Sequence, residues 1–183
     1  MLKTDLSKFN NNWYKPGSFL KRMLWYFVNL CFFKTGFPWP SSLKVAPLKI
    51  FGVKAGININ IKPYVNIKYP WFLEIGSNVW LGENCWIDNL GKIKIADNVS
   101  ISQGALLLTG NHNYKKETFD LIVGEIVLEE GVWVGAKAIV CPGITMRSHS
   151  VLTAGSVLTK DSEAYGIYQG NPAVKVKERV INI

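Results

Sequence analysis

The sequence predicts an all-β solenoid, a parallel β-helix of triangular cross-section, preceded by a basic helical arm. Three observations predict it. Aliphatic residues recur at every sixth position in the C-terminal half: Leu128, Val134, Val140, Met146, Leu152 and Leu158. Four residues after each of the first five stand Val132, Ala138, Ile144, Ser150 and Ser156, which are small or β-branched. The charge is also divided. Residues 1–50 hold eight Lys or Arg and one Asp, or +7, which leaves 13 basic and 12 acidic residues, or +1, for residues 51–183. A period of six fits neither a helix nor two-residue alternation. It fits one hexapeptide per side of a triangle, with each aliphatic plugging the interior and stacked coils burying one core.

The elements follow in order. Residues 1–16 are polar and aromatic and end at Pro16-Gly17. Residues 18–34 read as a helix opened by Ser18. Phe19, Met23, Phe27 and Leu30 form one face, expected to cap the open first coil. Lys21, Arg22, Trp25, Asn29 and Phe32 form the other, with Trp39 beyond it. Cations mixed with interfacial aromatics suit an anionic membrane surface, so residues 13–39 are expected either to make a peripheral membrane contact or to pack on a neighbouring chain. Pro38 and Pro40 end the helix, and a second basic, apolar stretch, 42–51, ends at Gly52. Upstream of the main repeat the register runs Ile75, Leu81, Ile87 and Ile93, slips by two, and resumes at Ile95, Ile101 and Leu107. Gly76, Gly82, Gly135 and Gly155 each follow an aliphatic, where a tight corner needs an unrestricted backbone. Residues 110–125 break the period and read as a loop ejected from the coil. The expected division is an arm over 1–57, a β-helix of about five coils over 58–160, and a C-terminal segment over 161–183.

Composition excludes several classes. The body is almost neutral, which argues against a nucleic-acid binder. Cys31, Cys85 and Cys141 are too few for a disulfide framework and suit a reduced, cytoplasmic protein. The apolar run Met23 to Phe33 is too short to span a bilayer and lacks the cleavage signal of a secretory leader.

The longer motifs carry a resemblance. Val132-Trp133-Val134-Gly135-Ala136, Pro142-Gly143-Ile144-Thr145, Ala154-Gly155-Ser156-Val157-Leu158-Thr159-Lys160-Asp161 and Gly170-Asn171-Pro172-Ala173 resemble the C-terminal signature of the left-handed β-helix, hexapeptide-repeat acetyltransferases. Asn12-Trp13-Tyr14, Leu24-Trp25-Tyr26-Phe27-Val28-Asn29, Ile67-Lys68-Tyr69-Pro70-Trp71 and Trp86-Ile87-Asp88-Asn89-Leu90 resemble the colanic-acid-type, WcaF-like branch, which O-acetylates sugars during extracellular polysaccharide synthesis. The resemblance implies a homotrimer with clefts between neighbouring solenoids. It also implies direct use of acetyl-CoA without metal, and a saccharide acceptor that is lipid-linked or free.

Residue by residue, His112 of Thr109-Gly110-Asn111-His112 matches the family's base. A sugar hydroxyl needs such a base to attack a thioester, and imidazole titrates in the right range. His112-Asn113 stands where relatives often carry His-Asp or His-Pro, so the group that orients the imidazole is not evident. The resemblance assigns the oxyanion donor to the backbone N–H of Ala136. It assigns the coenzyme to Trp133, Gly135, Ala136, Ala154 and Gly155, and its phosphates to Lys160 and Lys177. Asp88, Asn89 and Asn111 are candidates for the acceptor sugar, with a corner turn as the alternative role for Asp88 and Asn89. His149 lies in a degenerate repeat and reads as a corner residue. Ser162-Glu163 replaces a family Pro pair. A carbonic-anhydrase-type site needs three metal-bound histidines, and the chain has two in all. A serine acetyltransferase would need a longer helical region. An amino-sugar or xenobiotic N-acetyltransferase and a non-catalytic scaffold are the alternatives.

Overall fold

A computed structural model describes residues 3–182. The chain is a parallel β-solenoid of about six turns with a short helical region in front. Each coil contributes one short strand to each of three faces. On the first face Lys54–Ala55, Leu73–Ile75, Ile93–Ile95, Ile126–Leu128 and Thr145–Met146 stack in parallel. The second face runs from Asn60–Ile61 through Trp133–Val134 to Val151–Leu152, and the third from Asn66–Ile67 to Val157–Leu158. The six period-six aliphatics are all wholly buried, and Val132, Ala138, Ile144, Ser150 and Ser156 are buried beside them.

The two-residue slip has a structural cause. In the early coils partners lie 20 residues apart, as in Asn60↔Trp80 and Trp86↔Leu106. In the late coils they lie 18 apart, as in Trp133↔Val151. The early coils take up the extra pair on the first face, where Ile93 and Ile95 of one strand both point inward and are buried. The slip therefore recurs in every early coil. The solenoid also starts earlier than the composition suggests, since Lys54–Ala55 already pairs with Glu74–Ile75.

Corner chemistry differs from the expectation at three of its four glycines. Of Gly76, Gly82, Gly135 and Gly155, only Gly155 has positive φ, at 68°. The other three serve close stacking: a Cβ on Gly135 would lie 2.6 Å from the Ala154 backbone nitrogen. The left-handed corners are shared by asparagines, other glycines and a few larger residues. Asn58, Asn78 and Asn98 have φ of 54–59° and pass side-chain hydrogen bonds from coil to coil at 3.1 and 3.2 Å. His149 is a corner residue of the same kind, at φ 59°.

The arm closes the first coil, but with the opposite face from the one expected. The helix α1 (Phe19–Val28) starts at Ser18, whose side chain accepts from the Lys21 N–H, and runs on into a π-helical turn, Asn29–Phe33. Trp25, Asn29 and Phe33 are buried, whereas Phe19, Met23, Phe27 and Leu30 are exposed. The physical reason is the open strand edge. Its backbone groups need polar partners, which a purely apolar face cannot supply. The Trp25 indole N–H donates to the Ile67 carbonyl at 2.8 Å, and the Asn29 amide donates to Asn66 at 2.9 Å. The stretch after Pro40 is a second helix, α2 (Ser41–Ile50). Ser41 accepts from the Ile61 N–H at 3.0 Å, and buried Lys44 donates to the Ile61 and Lys62 carbonyls, both at 3.1 Å. Burial lowers the Lys44 pKa.

At the far end Gly166–Gly170 adds a sixth layer to the second face, and Ala173–Glu178 folds back on it antiparallel. Ser162 is buried; its hydroxyl donates to Ser150 at 2.8 Å and accepts from the Arg147 N–H at 2.9 Å, which sets the chain path at Ser162-Glu163.

Candidate active site

The ejected segment is an ordered hairpin. Gly110–His112 and Leu121–Val123 pair antiparallel, with His112 opposite Leu121. It leaves the corner between the third and first faces. Its root is fixed by buried Thr109, whose hydroxyl donates to the Asp88 carbonyl at 2.9 Å and accepts from the Gly91 N–H at 3.0 Å. The arm holds the hairpin from outside. The Asp5 N–H donates to the Glu117 carbonyl at 2.9 Å, and the Lys8 ammonium pairs with the Glu117 carboxylate at 2.5 Å.

His112 is half-buried, and its orientation has a clear source. The ring stacks on Phe119 with centroids 4.4 Å apart and planes 7° from parallel. Its Nδ1 lies 2.9 Å from the Phe119 carbonyl oxygen. A carbonyl only accepts, so Nδ1 is the nitrogen that donates to it, and in the neutral imidazole the lone pair lies on Nε2. Phe119 has φ of 50°, a left-handed conformation that costs a side chain of this size about 1–3 kcal/mol. That strained residue supplies the carbonyl. Asn111 is exposed, and its side chain accepts from the His112 N–H at 2.8 Å.

His112 lines a groove of about 500 Å³ together with residues that sequence reasoning did not place there. Asn11, Asn12, Tyr14 and Lys15 come from the N-terminal segment, and Arg22 from α1. The Tyr14 hydroxyl donates to the Leu90 carbonyl at 2.7 Å. Burial above all, then Tyr69 and Asp88, raise its pKa, so the phenol stays neutral. The available signal was Asn12-Trp13-Tyr14, which belongs to the resemblance but had no role assigned.

The other expected site residues divide between corners. Asp88 is buried at the hairpin's own corner, 2.8 Å from the Lys68 ammonium in a contact too bent for a hydrogen bond, so charge holds the pair. Asn89 is wholly buried and has a different task from sugar binding. Its amide accepts from the Tyr69 N–H at 2.9 Å and donates to the Tyr69 carbonyl at 2.6 Å, replacing a strand partner and leaving no face for a ligand. Gly135, Ala136, Ala154 and Gly155 lie at the corner between the second and third faces. Ala136 and Ala154 occupy equivalent places one coil apart, as the Val134↔Leu152 register requires. The Ala136 N–H has no hydrogen-bond acceptor among the described residues. Trp133 projects from the second face, half exposed, with its indole N–H on Ser102 at 2.9 Å. Lys160 follows the last strand of the third face and Lys177 lies on the terminal strand; both are exposed. One chain thus brings His112, Asn111, Asp88 and the arm together, and holds the Ala136 group at another corner. Buried Cys85, with its thiol pushed up to about 12 by burial, belongs to the core.

Comparison with known proteins bears on the fold and the family. No family model matches the chain. The chain is 34% identical to the putative colanic acid biosynthesis acetyltransferase WcaF of Escherichia coli K12 over 181 residues, 96% of this chain and 97% of that one. Among solved structures, a hexapeptide-repeat acetyltransferase of Vibrio cholerae, in complex with acetyl-CoA, superposes with a TM-score of 0.76 at 21% identity, covering 87% of each chain. A maltose O-acetyltransferase of Clostridium difficile 630 superposes with a TM-score of 0.76 at 23% identity, covering 87% of this chain and 86% of that one. The chain belongs to the hexapeptide-repeat acetyltransferases, in the branch of the colanic acid biosynthesis acetyltransferase, and is an acyl-transferring enzyme.

Proposed function

We propose that the chain transfers the acetyl group of acetyl-CoA to a hydroxyl of a saccharide precursor of an extracellular polysaccharide, directly and without an acyl-enzyme, with His112 as base. The carrying observation is the imidazole itself: Nδ1 is committed to the Phe119 carbonyl, which leaves Nε2 free to accept a proton in a groove large enough for a sugar. The acceptor hydroxyl gives its proton to Nε2 as its oxygen attacks the thioester carbonyl carbon. The oxyanion is met by the Ala136 N–H. The C–S bond then breaks, and the imidazolium returns the proton to the departing thiolate. The E. coli relative's name supplies the polysaccharide context, and the two structural neighbours supply acetyl-CoA and a sugar O-acetylation.

Within one chain His112 and the Ala136 group lie at different corners of the prism, so the step needs a second copy whose Ala136 corner faces this hairpin. A homotrimer supplies three such clefts. In it Trp133, Ala136, Ala154 and Gly155 flank the pantetheine arm, and Lys160 and Lys177 take the phosphates. Asn111 and the Asp88–Lys68 pair border the acceptor. Labelled acetyl-CoA offered with free and lipid-linked oligosaccharides, read by mass spectrometry, tests the reaction. O-acetylated saccharide supports it; transfer confined to amino sugars at nitrogen overturns it. A stable, active monomer by sedimentation overturns the shared cleft.

We also propose a peripheral contact with the inner face of the cytoplasmic membrane. No described helix is long and apolar enough to cross a bilayer. Trp25, expected on the docking face, is buried. The α1 face that is available carries Phe19, Leu20, Met23, Leu24, Phe27 and Leu30, all exposed, on a segment with +7 of the +8 charge. Apolar area within a cationic surround suits anionic lipid, and this contact would bring a lipid-linked acceptor to the groove.

A further inference from the structure

We propose that the groove beside His112 takes an acceptor bearing an anionic group, a phosphate or a carboxylate, and that Arg22 is its anchor. The inference rests on reading this groove as the acceptor site, and it adds the chemical class of the acceptor.

The lining residues include three cations, Lys15, Arg22 and Lys68, and no Asp or Glu. Lys68 is neutralised by Asp88 behind it, at 2.8 Å. Arg22 is not neutralised. Among the described residues its guanidinium forms no ion pair, and its Nε is buried without a hydrogen-bond partner. A buried, unpaired N–H costs about 1–3 kcal/mol, and more on a charged group, so such a donor calls for an explanation. The Nε itself is covered, but Arg22 is partly exposed and lines the groove with its charge unpaired, so an anionic oxygen delivered by the ligand to the accessible part of the guanidinium is the partner that neutralises it. The planar guanidinium fork fits a phosphate or carboxylate in two-point contact, which no sugar hydroxyl provides.

The surroundings hold Arg22 for this purpose. It lies in the first turn of α1, where its N–H donates to the Ser18 carbonyl at 3.1 Å. The neighbouring Lys21 ammonium is held over the Trp71 ring, 4.4 Å from its centroid, and does not line the groove. Tyr14 remains a neutral phenol bonded to Leu90, so it adds no negative charge. Asn11 and Asn12 supply neutral amides for sugar hydroxyls. The groove thus has a basic nitrogen at one side, amides on its wall, and a cation awaiting an anion. Two sources carry that anion: the diphosphate that joins a saccharide to a lipid carrier, or the carboxylate of a uronic acid.

The full chain is titrated calorimetrically, without acetyl-CoA, with hexose 1-phosphate, hexuronic acid and methyl hexoside. The same three are then offered as acceptors with acetyl-CoA. The wild type is expected to prefer at least one anionic probe to the methyl hexoside by tenfold or more, in affinity and in kcat/KM. Arg22→Gln brings both ratios close to one, and Arg22→Lys keeps an intermediate value. Lys15→Gln, at an exposed position that tolerates change, lowers the ratios twofold to threefold and serves where Arg22 variants fold poorly. Preference for the phosphate points to the lipid diphosphate, and preference for the uronate to a sugar acid; either supports the inference. Equal binding, or no binding, of all three probes overturns it. So does Arg22→Gln weakening charged and neutral probes alike. Anion preference with no acetylation of any saccharide would leave the anion site standing and remove the acyl-acceptor reading. Acetylation without anion preference would do the reverse.

Discussion

The repeat body and the arm satisfy the same backbone requirement by different means. In the body each coil is the partner of the next, and strand bonds repeat at intervals of 18 or 20 residues, or 33 across the ejected hairpin. One inward aliphatic per hexapeptide then fills the core, and nothing about the pairing is specific to one coil. At the open first coil no further strand arrives. Trp25 and Ser41 make one bond each, to Ile67 and Ile61, and Lys44 makes two, to Ile61 and Lys62. The body is built from a rule, and the arm from separate contacts. The hairpin belongs with the arm, since its key contact is one carbonyl on a strained Phe119.

If chemistry belongs to the added pieces and stability to the rule, His112→Ala separates them most sharply. Turnover should fall by about 10²–10⁴-fold, the usual contribution of a general base. Affinity for acetyl-CoA and the unfolding midpoint should stay near the wild-type values, because the imidazole is half-buried on a hairpin outside the coil. Normal turnover would remove His112 from the mechanism. A large drop in the midpoint would show that the hairpin is part of the core.

The second largest effect tests the cap. Trp25→Ala deletes a buried indole and frees the Ile67 carbonyl, so about 3–5 kcal/mol of stability should be lost in denaturant unfolding. Trp25→Phe keeps most of the packing and loses the donor, at about 1–3 kcal/mol. A Phe variant as stable as the wild type would mean that the edge carbonyl needs no partner, and the argument for the reversed helix face would fail.

This contrast also explains what could be read from the chain alone. The period of six exposed the interior of every coil, because a repeated rule leaves a repeated signal. The slip was visible at Ile93 and Ile95, but only the 20-residue pairing shows that it recurs. Hydrophobic spacing points to the wrong face of α1, because it measures apolar content, whereas the open edge selects hydrogen-bonding capacity. Trp25 and Asn29 offer both. His112 was legible from its motif, whereas its partner Phe119 was not, because a backbone carbonyl leaves no mark in a sequence. Asn89 looked like a ligand group for a related reason: a buried amide serving Tyr69 has the same letter as one serving a sugar.

Lys160→Ala carries the third effect, on binding alone. Lys160 is an exposed cation just beyond the last coil, and its loss should raise the KM for acetyl-CoA about tenfold with kcat retained. A phosphate contact remote from the reacting carbon stabilises ground and transition states alike. A fall in kcat without a change in KM would give the residue a different role.

The smallest effect on the fold is expected on the outer face of α1, and it bears directly on what the arm is for. Leu24 and Phe27 are about half exposed in the chain, at 51% and 57%. Replacing both by Ser removes little buried area, so stability should change by about 0.5 kcal/mol or less, as surface substitutions usually do. Activity on a free acceptor should persist. Partition onto vesicles is different, because burying each such side chain in lipid contributes about 1.5–3 kcal/mol. Co-sedimentation with vesicles containing anionic lipid should therefore fall more than tenfold in the double variant. It should weaken for the wild type as salt rises, because the arm's charge is screened within about 8 Å at physiological ionic strength. If the double variant loses stability or its oligomeric state while the wild type ignores vesicles, the same face is covered by a neighbouring chain. The arm would then be a second structural cap, and the apolar side chains that the first coil leaves outside would complete the assembly.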